Sequence, residues 1–117
     1  QIVDVQSTLN MNSALTVAGT LQNTNPNGEI LCASATLTVD GVLTSSQTFE
    51  MNSCGFTNNG ASTFASPHII SWQDTDIIQT TGTFDISAVD SFTLHTGSTF
   101  IWNGGNVVAS ATSDLIF

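Results

Sequence analysis

Few side chains in this sequence could carry chemistry, and their types narrow what that chemistry could be. His68 and His95 are the only histidines, Cys32 and Cys54 the only cysteines, and lysine and arginine are missing altogether. A serine hydrolase needs a serine activated by a histidine that a carboxylate orients. Serine is plentiful, but no G-x-S-x-G turn occurs, and both histidines stand in plain strand context. A small hydrolase built on His68 or His95 therefore ranks behind the reading in which both rings simply decorate a sheet. A cysteine nucleophile ranks lower still, because only those histidines could stabilise its thiolate.

Nine carboxylates complete the ionisable set: Asp4, Glu29, Asp40, Glu50, Asp74, Asp76, Asp85, Asp90 and Asp114. A glycosidase needs two of them flanking a sugar, yet Asp74-Thr75-Asp76 reads more simply as a turn. Calcium prefers hard oxygen ligands, which are in surplus, but the D-x-D-x-D-G-x₅-E loop is missing. Structural calcium is thus admitted by ligand supply alone, and no cofactor is expected. Neutral sugars need neither lysine nor arginine. Trp72, flanked by Ser71 and Gln73, is the aromatic expected at the surface, with Asp74, Asp76, Asn103 and Asn106 as hydroxyl partners. Trp102 is assigned to the core.

The same composition excludes whole classes of partner. With a formal charge of -9 and a pI near 4.1, the chain has no fixed cation for a nucleic-acid backbone, a phosphate or an anionic lipid. It also offers no trypsin-like cleavage site. No run of 18 or more apolar residues is present, so no helix is expected to span or insert into a membrane. The 40% of hydrophobic residues argues for a folded core, and the length suits one domain over residues 1–117. Cys32 and Cys54 lack a C-x-x-C or Cys–His context, so one disulfide is expected, worth about 3 kcal/mol in the chain-entropy model. A start at Gln1 rather than Met suggests a removed leader. Together with the disulfide this reads as secretion to the extracellular space.

Period-two alternation dominates the sequence. Leu15, Val17, Gly19 and Leu21 alternate with small or polar residues, as do Leu31, Ala33, Ala35, Leu37 and Val39. Asn27-Gly28, Asp40-Gly41, Asn59-Gly60 and Asn103-Gly104 punctuate these runs and read as type I′ hairpin turns. An Asp40-Gly41 hairpin would set Val39 against Val42, and an Asn103-Gly104 hairpin would set Phe100 against Val107. Phe49 then falls on the polar parity, which calls for a bulge. Strands are expected near 2–9, 14–22, 29–39, 42–50, 62–65, 68–73, 76–80, 83–87, 91–96, 98–102, 105–112 and 114–117. The motif L-T-V-x-G-x-L occurs at Leu15–Leu21 and again at Leu37–Leu43, and two copies fall short of the three that a solenoid needs. Eighteen threonines raise ice binding, but the T-x-T pattern appears only at Thr36-Leu37-Thr38 and Thr81-Gly82-Thr83.

These readings converge on an all-β, single-domain antiparallel β-sandwich, with a barrel as second choice. Functionally they predict a secreted, non-enzymatic recognition protein with an acidic surface free of lysine and arginine, lectin-like toward neutral glycans. The alternative partner is a protein receptor of another organism, as for an effector, an allergen or a taste-active protein. Edge strands unguarded by lysine admit a homodimer.

Overall fold

The computed structural model describes residues 1–65, 70–110 and 114–116, so His68 lies outside the described residues. Its strands follow one another in coils. The first coil is β1 (Ile2–Asp4), β2 (Thr8–Met11) and β3 (Leu15–Val17). The second is β4 (Thr20–Asn23), β5 (Glu29–Ala33) and β6 (Thr36–Val39). The third is β7 (Val42–Ser45), β8 (Thr48–Asn52) and β9 (Gly55–Asn58). The fourth is β10 (Ala61–Phe64), β11 (Ile70–Trp72) and β12 (Asp76–Gln79). The fifth is β13 (Thr83–Asp85), β14 (Ser91–Leu94) and β15 (Thr99–Trp102). Strands β16 (Asn106–Val108) and β17 (Asp114–Ile116) belong to a sixth.

Each strand pairs with its counterpart one coil away, and every such pair is parallel. Three faces result. The first is β1-β4-β7-β10-β13-β16, and the third is β15-β12-β9-β6-β3. The second joins β2-β5-β8 to β11-β14-β17 through the parallel bridge between Asn52 and Gln73. This is a parallel β-solenoid of about five turns, which corrects the antiparallel sandwich and the barrel.

The turn dipeptides account for the difference. A type I′ turn needs positive φ at both central residues, and neither Asp40 nor Gly41 has it. Gly41 is needed for room instead. A Cβ there would lie 2.1 Å from the Gly19 carbonyl oxygen, one at Gly60 would lie 2.1 Å from that of Gly41, and one at Gly82 would lie 1.9 Å from that of Gly60. Gly19, Gly41, Gly60, Gly82 and Gly105 thus form a column at the corner between the third and first faces, where backbone meets backbone. Val39 and Val42 lie on different faces, as do Phe100 and Val107, and neither pair is a hairpin pair. The L-T-V-x-G-x-L echo is one coil repeated in register, with Leu15 on Leu37, Val17 on Val39 and Leu21 on Leu43.

A second corner column stands between the second and third faces. Ser34, Ser53, Asp74 and Gly97 there have φ of 59°, 56°, 46° and 88°. The expected strand 29–39 is broken by this bend at Ser34, and 42–50 is broken at Ser46-Gln47. Phe49 needs no bulge, since the corner resets the inward parity.

Inward positions fill one continuous core. Phe49, Phe56, Phe64, Trp72, Phe84 and Phe92 stack along it, with centroids between 4.8 and 6.3 Å and mostly tilted or edge-on contacts. The Cys32–Cys54 disulfide ties the second coil to the third. Several polar side chains in the core are tied to one another, while the buried Asn23 Oδ1 has no hydrogen-bond partner among the described residues. Asn58 Nδ2 donates to Gln79 Oε1 at 2.8 Å and to the Thr83 carbonyl at 2.9 Å, while Ser62 Oγ donates to Asn58 Oδ1 at 2.8 Å. Such a network is stable in a dry interior because its donors find acceptors.

Candidate recognition face

Alternation along each strand sends every second side chain outward, and the parallel register stacks those side chains into columns. On the first face one column runs Thr20, Val42, Ala61, Thr83, Asn106, and the next runs Gln22, Thr44, Thr63, Asp85, Val108. Backbone bonds from Ser46 N to the Asn23 carbonyl and from Ala65 N to the Ser45 carbonyl extend the ladder by one position. Across the second, third and fourth coils the outward residues of β4, β7 and β10 are Thr20, Gln22, Val42, Thr44, Ala61 and Thr63. None of them is ionisable.

The carboxylates of those coils lie elsewhere. Glu29 and Glu50 project from β5 and β8 on the second face, and Glu29 Oε1 accepts the Thr8 hydroxyl at 2.6 Å. Asp40 sits at the corner after β6 and accepts from Asn59 Nδ2 at 2.8 Å. Asp74 occupies the left-handed corner and accepts the Ser53 hydroxyl at 2.9 Å, and Asp76 opens β12 and accepts the Thr99 hydroxyl at 2.6 Å. The first face carries carboxylates on β1 and β13, on either side of β4, β7 and β10. Asp4 pairs with Gln22 from the first coil, and Asp85, in the fifth, holds the Ser87 amide and hydroxyl at 2.9 and 2.6 Å.

The residues expected to bind a sugar are not gathered at one place. Trp72 is fully buried, its ring among Phe49, Phe56, Phe64 and Phe92 and its Nε1–H donating to the Phe49 carbonyl at 2.9 Å. Trp102 is 59% exposed, so the two indoles exchange the places expected of them. Asp74 and Asp76 stand where the third face begins, while Asn103 and Asn106 flank the turn where it ends, with the length of a strand between. Among the described residues no group of three His, Cys, Asp or Glu side chains could hold a metal ion.

His95 Nε2 and Ser71 Oγ meet at 2.5 Å across adjacent coils of the second face, both exposed. No carboxylate hydrogen-bonds this imidazole among the described residues, so the group that would orient a catalytic base is not supplied.

The face columns were hidden from a strand-by-strand reading. Their members are about 20 residues apart, at intervals that change from coil to coil, and in the sequence the glycine column and the L-T-V-x-G-x-L echo mark that period. Comparison with protein families, with characterised proteins and with solved structures gives no match to this chain.

Proposed function

We propose that this protein is a non-enzymatic extracellular recognition protein whose first face engages a flat, neutral, hydroxyl-bearing surface. One observation carries the reading: the charge of a molecule with nine carboxylates is kept off the outward positions of β4, β7 and β10. A charged group on that face would have to be desolvated on contact, at a cost its partner could not return without a countercharge. Threonine, valine and alanine present short side chains, and the β-branched ones hold restricted χ1 angles, so little entropy is lost when they are covered. The disulfide accords with an oxidising compartment.

The test is retention on insoluble neutral surfaces, namely cellulose, chitin, β-glucan and ice. Thr44→Lys/Thr63→Lys should abolish retention wherever it occurs. Thr38→Lys/Thr57→Lys on the third face should leave it intact. Retention that responds equally to both double variants, or no retention on any surface, would end this reading.

A further inference from the structure

Resting on that reading, we infer that the surface recognised by the first face is ice. The face lacks what other partners would need. Flat binding of a pyranose ring uses an aromatic platform, and neither indole is on this face: Trp72 points into the core and Trp102 belongs to the third. A protein partner would want large apolar anchors at the centre of the contact. On β4, β7 and β10 only Val42, 41% exposed, could serve as one, and Ile2 and Val108 sit on the outermost strands β1 and β16 rather than at the centre.

What the face does have is a grid. Parallel strands repeat about every 4.7–4.9 Å across the sheet, and outward residues repeat about every 6.6 Å along a strand. Both repeats are imposed by the backbone, so they hold even where the residue identity varies. On this grid Thr20, Thr44 and Thr63 form a staggered set of hydroxyl and methyl groups, with the methyl surfaces of Val42 and Ala61 between them. Hydroxyls can hydrogen-bond to water at fixed positions, and the methyl groups between them accept no hydrogen bond and leave neighbouring waters to bond laterally. Waters held this way form a two-dimensional neutral lattice, and ice is the ligand built as one. A carboxylate within the grid would impose its own hydration shell; the outward positions of β4, β7 and β10 carry none, and Asp85, opposite Thr63 on β13, bounds the grid on that side.

The T-x-T pattern sought along single strands is therefore the wrong pattern to require. In a solenoid the threonines of one array come from successive coils, and Thr20, Thr44 and Thr63 are contributed by three successive strands of the first face.

Slow growth of an ice front through a dilute solution of the full chain tests the inference, with protein in the ice and in the remaining liquid quantified by tryptophan absorbance. Recrystallisation of a polycrystalline ice film is followed in parallel. The wild type should enter the ice and arrest grain growth. Thr44→Lys/Thr63→Lys should be rejected into the liquid like an inert protein, while Thr38→Lys/Thr57→Lys should behave as the wild type. Circular dichroism establishes that each variant is folded, and Thr44→Gln/Thr63→Gln repeats the test without a charge should the lysines unfold the sheet. Rejection of the wild type from ice overturns the inference, and so does equal loss in both lysine pairs. Rejection from ice combined with first-face-dependent retention on a polysaccharide overturns the ice assignment and leaves the recognition reading standing. Loss of both ends both.

Discussion

At the scale of single residues, this molecule depends on where it has no side chain at all. Gly82 has φ of 72°, and a Cβ on it would lie 1.9 Å from the Gly60 carbonyl oxygen, a rigid backbone atom. Gly82→Ala should therefore cost about 3 kcal/mol or more, combining left-handed strain with displacement of the neighbouring coil. Gly55 is the contrast. Its nearest contacts would be Thr36 side-chain atoms at 3.3 and 3.4 Å, and its φ is not positive. Gly55→Ala should shift the urea midpoint little, because Thr36 is exposed and can move aside. Equal losses at the two positions would mean that the glycine column is not what sets the coil spacing. The buried amides obey a similar local logic. Asn58 and Gln79 continue a column begun by Val17 and Val39, so an inward site accepts an amide once its neighbour supplies the partner.

At the scale of elements, three short strands per coil bury little by themselves, and stability comes from contacts between successive coils. The disulfide acts at one such junction. It closes a sequence separation of 22 residues between the second and third coils. Reducing it should remove about 3 kcal/mol in the chain-entropy model. The loss should be uneven, since the bond ties the second coil to the third while the aromatic stack runs on through the fourth and fifth. Hydrogen exchange on the reduced protein should accelerate first in β2–β6, with β10–β14 less affected. Uniform acceleration would show the whole stack to be one cooperative unit. The first coil has a related weakness: an apolar cavity of about 330 Å³, lined by Val3, Leu9, Leu15, Val17 and Leu21, opens beside it.

At the scale of the whole molecule, charge is the governing term. Nine carboxylates and no lysine or arginine leave repulsion without lysine or arginine ion pairs to offset it. Glu29 and Glu50 share the second face but are staggered, Glu29 lying opposite Thr48 and Glu50 opposite Leu31. Salt should therefore stabilise the fold. Between low salt and roughly 0.5 M sodium chloride, where the Debye length falls well below its ~10 Å at 0.1 M, the melting temperature should rise. A fall would require attractive charge pairs, for which the sequence has almost no cations. The same screening acts least on β4, β7 and β10, whose outward positions carry no charge.

Composition and alternation by themselves settled that the chain is all-β and rich in inward Val, Leu, Ile and Phe, and they raised the Cys32–Cys54 bond that the structure holds. They did not fix the inward parity, since Leu31 and Ala33 face outward while Ile30 and Cys32 are buried. The properties they settled depend on residue type and on neighbours close in sequence. Pairing direction does not. An Asp-Gly step suits a hairpin and a solenoid corner equally, and what decides is whether Gly41 turns back on its own coil or packs beneath Gly19 of the previous one, a contact between residues 22 apart. The exchange of Trp72 and Trp102 has the same origin: alternation predicts a side for each indole, but burial depends on coils above and below. The first face is the clearest case. Thr20, Val42, Ala61 and Thr83 have nothing in common along the chain, and only the parallel stacking of coils makes them a surface.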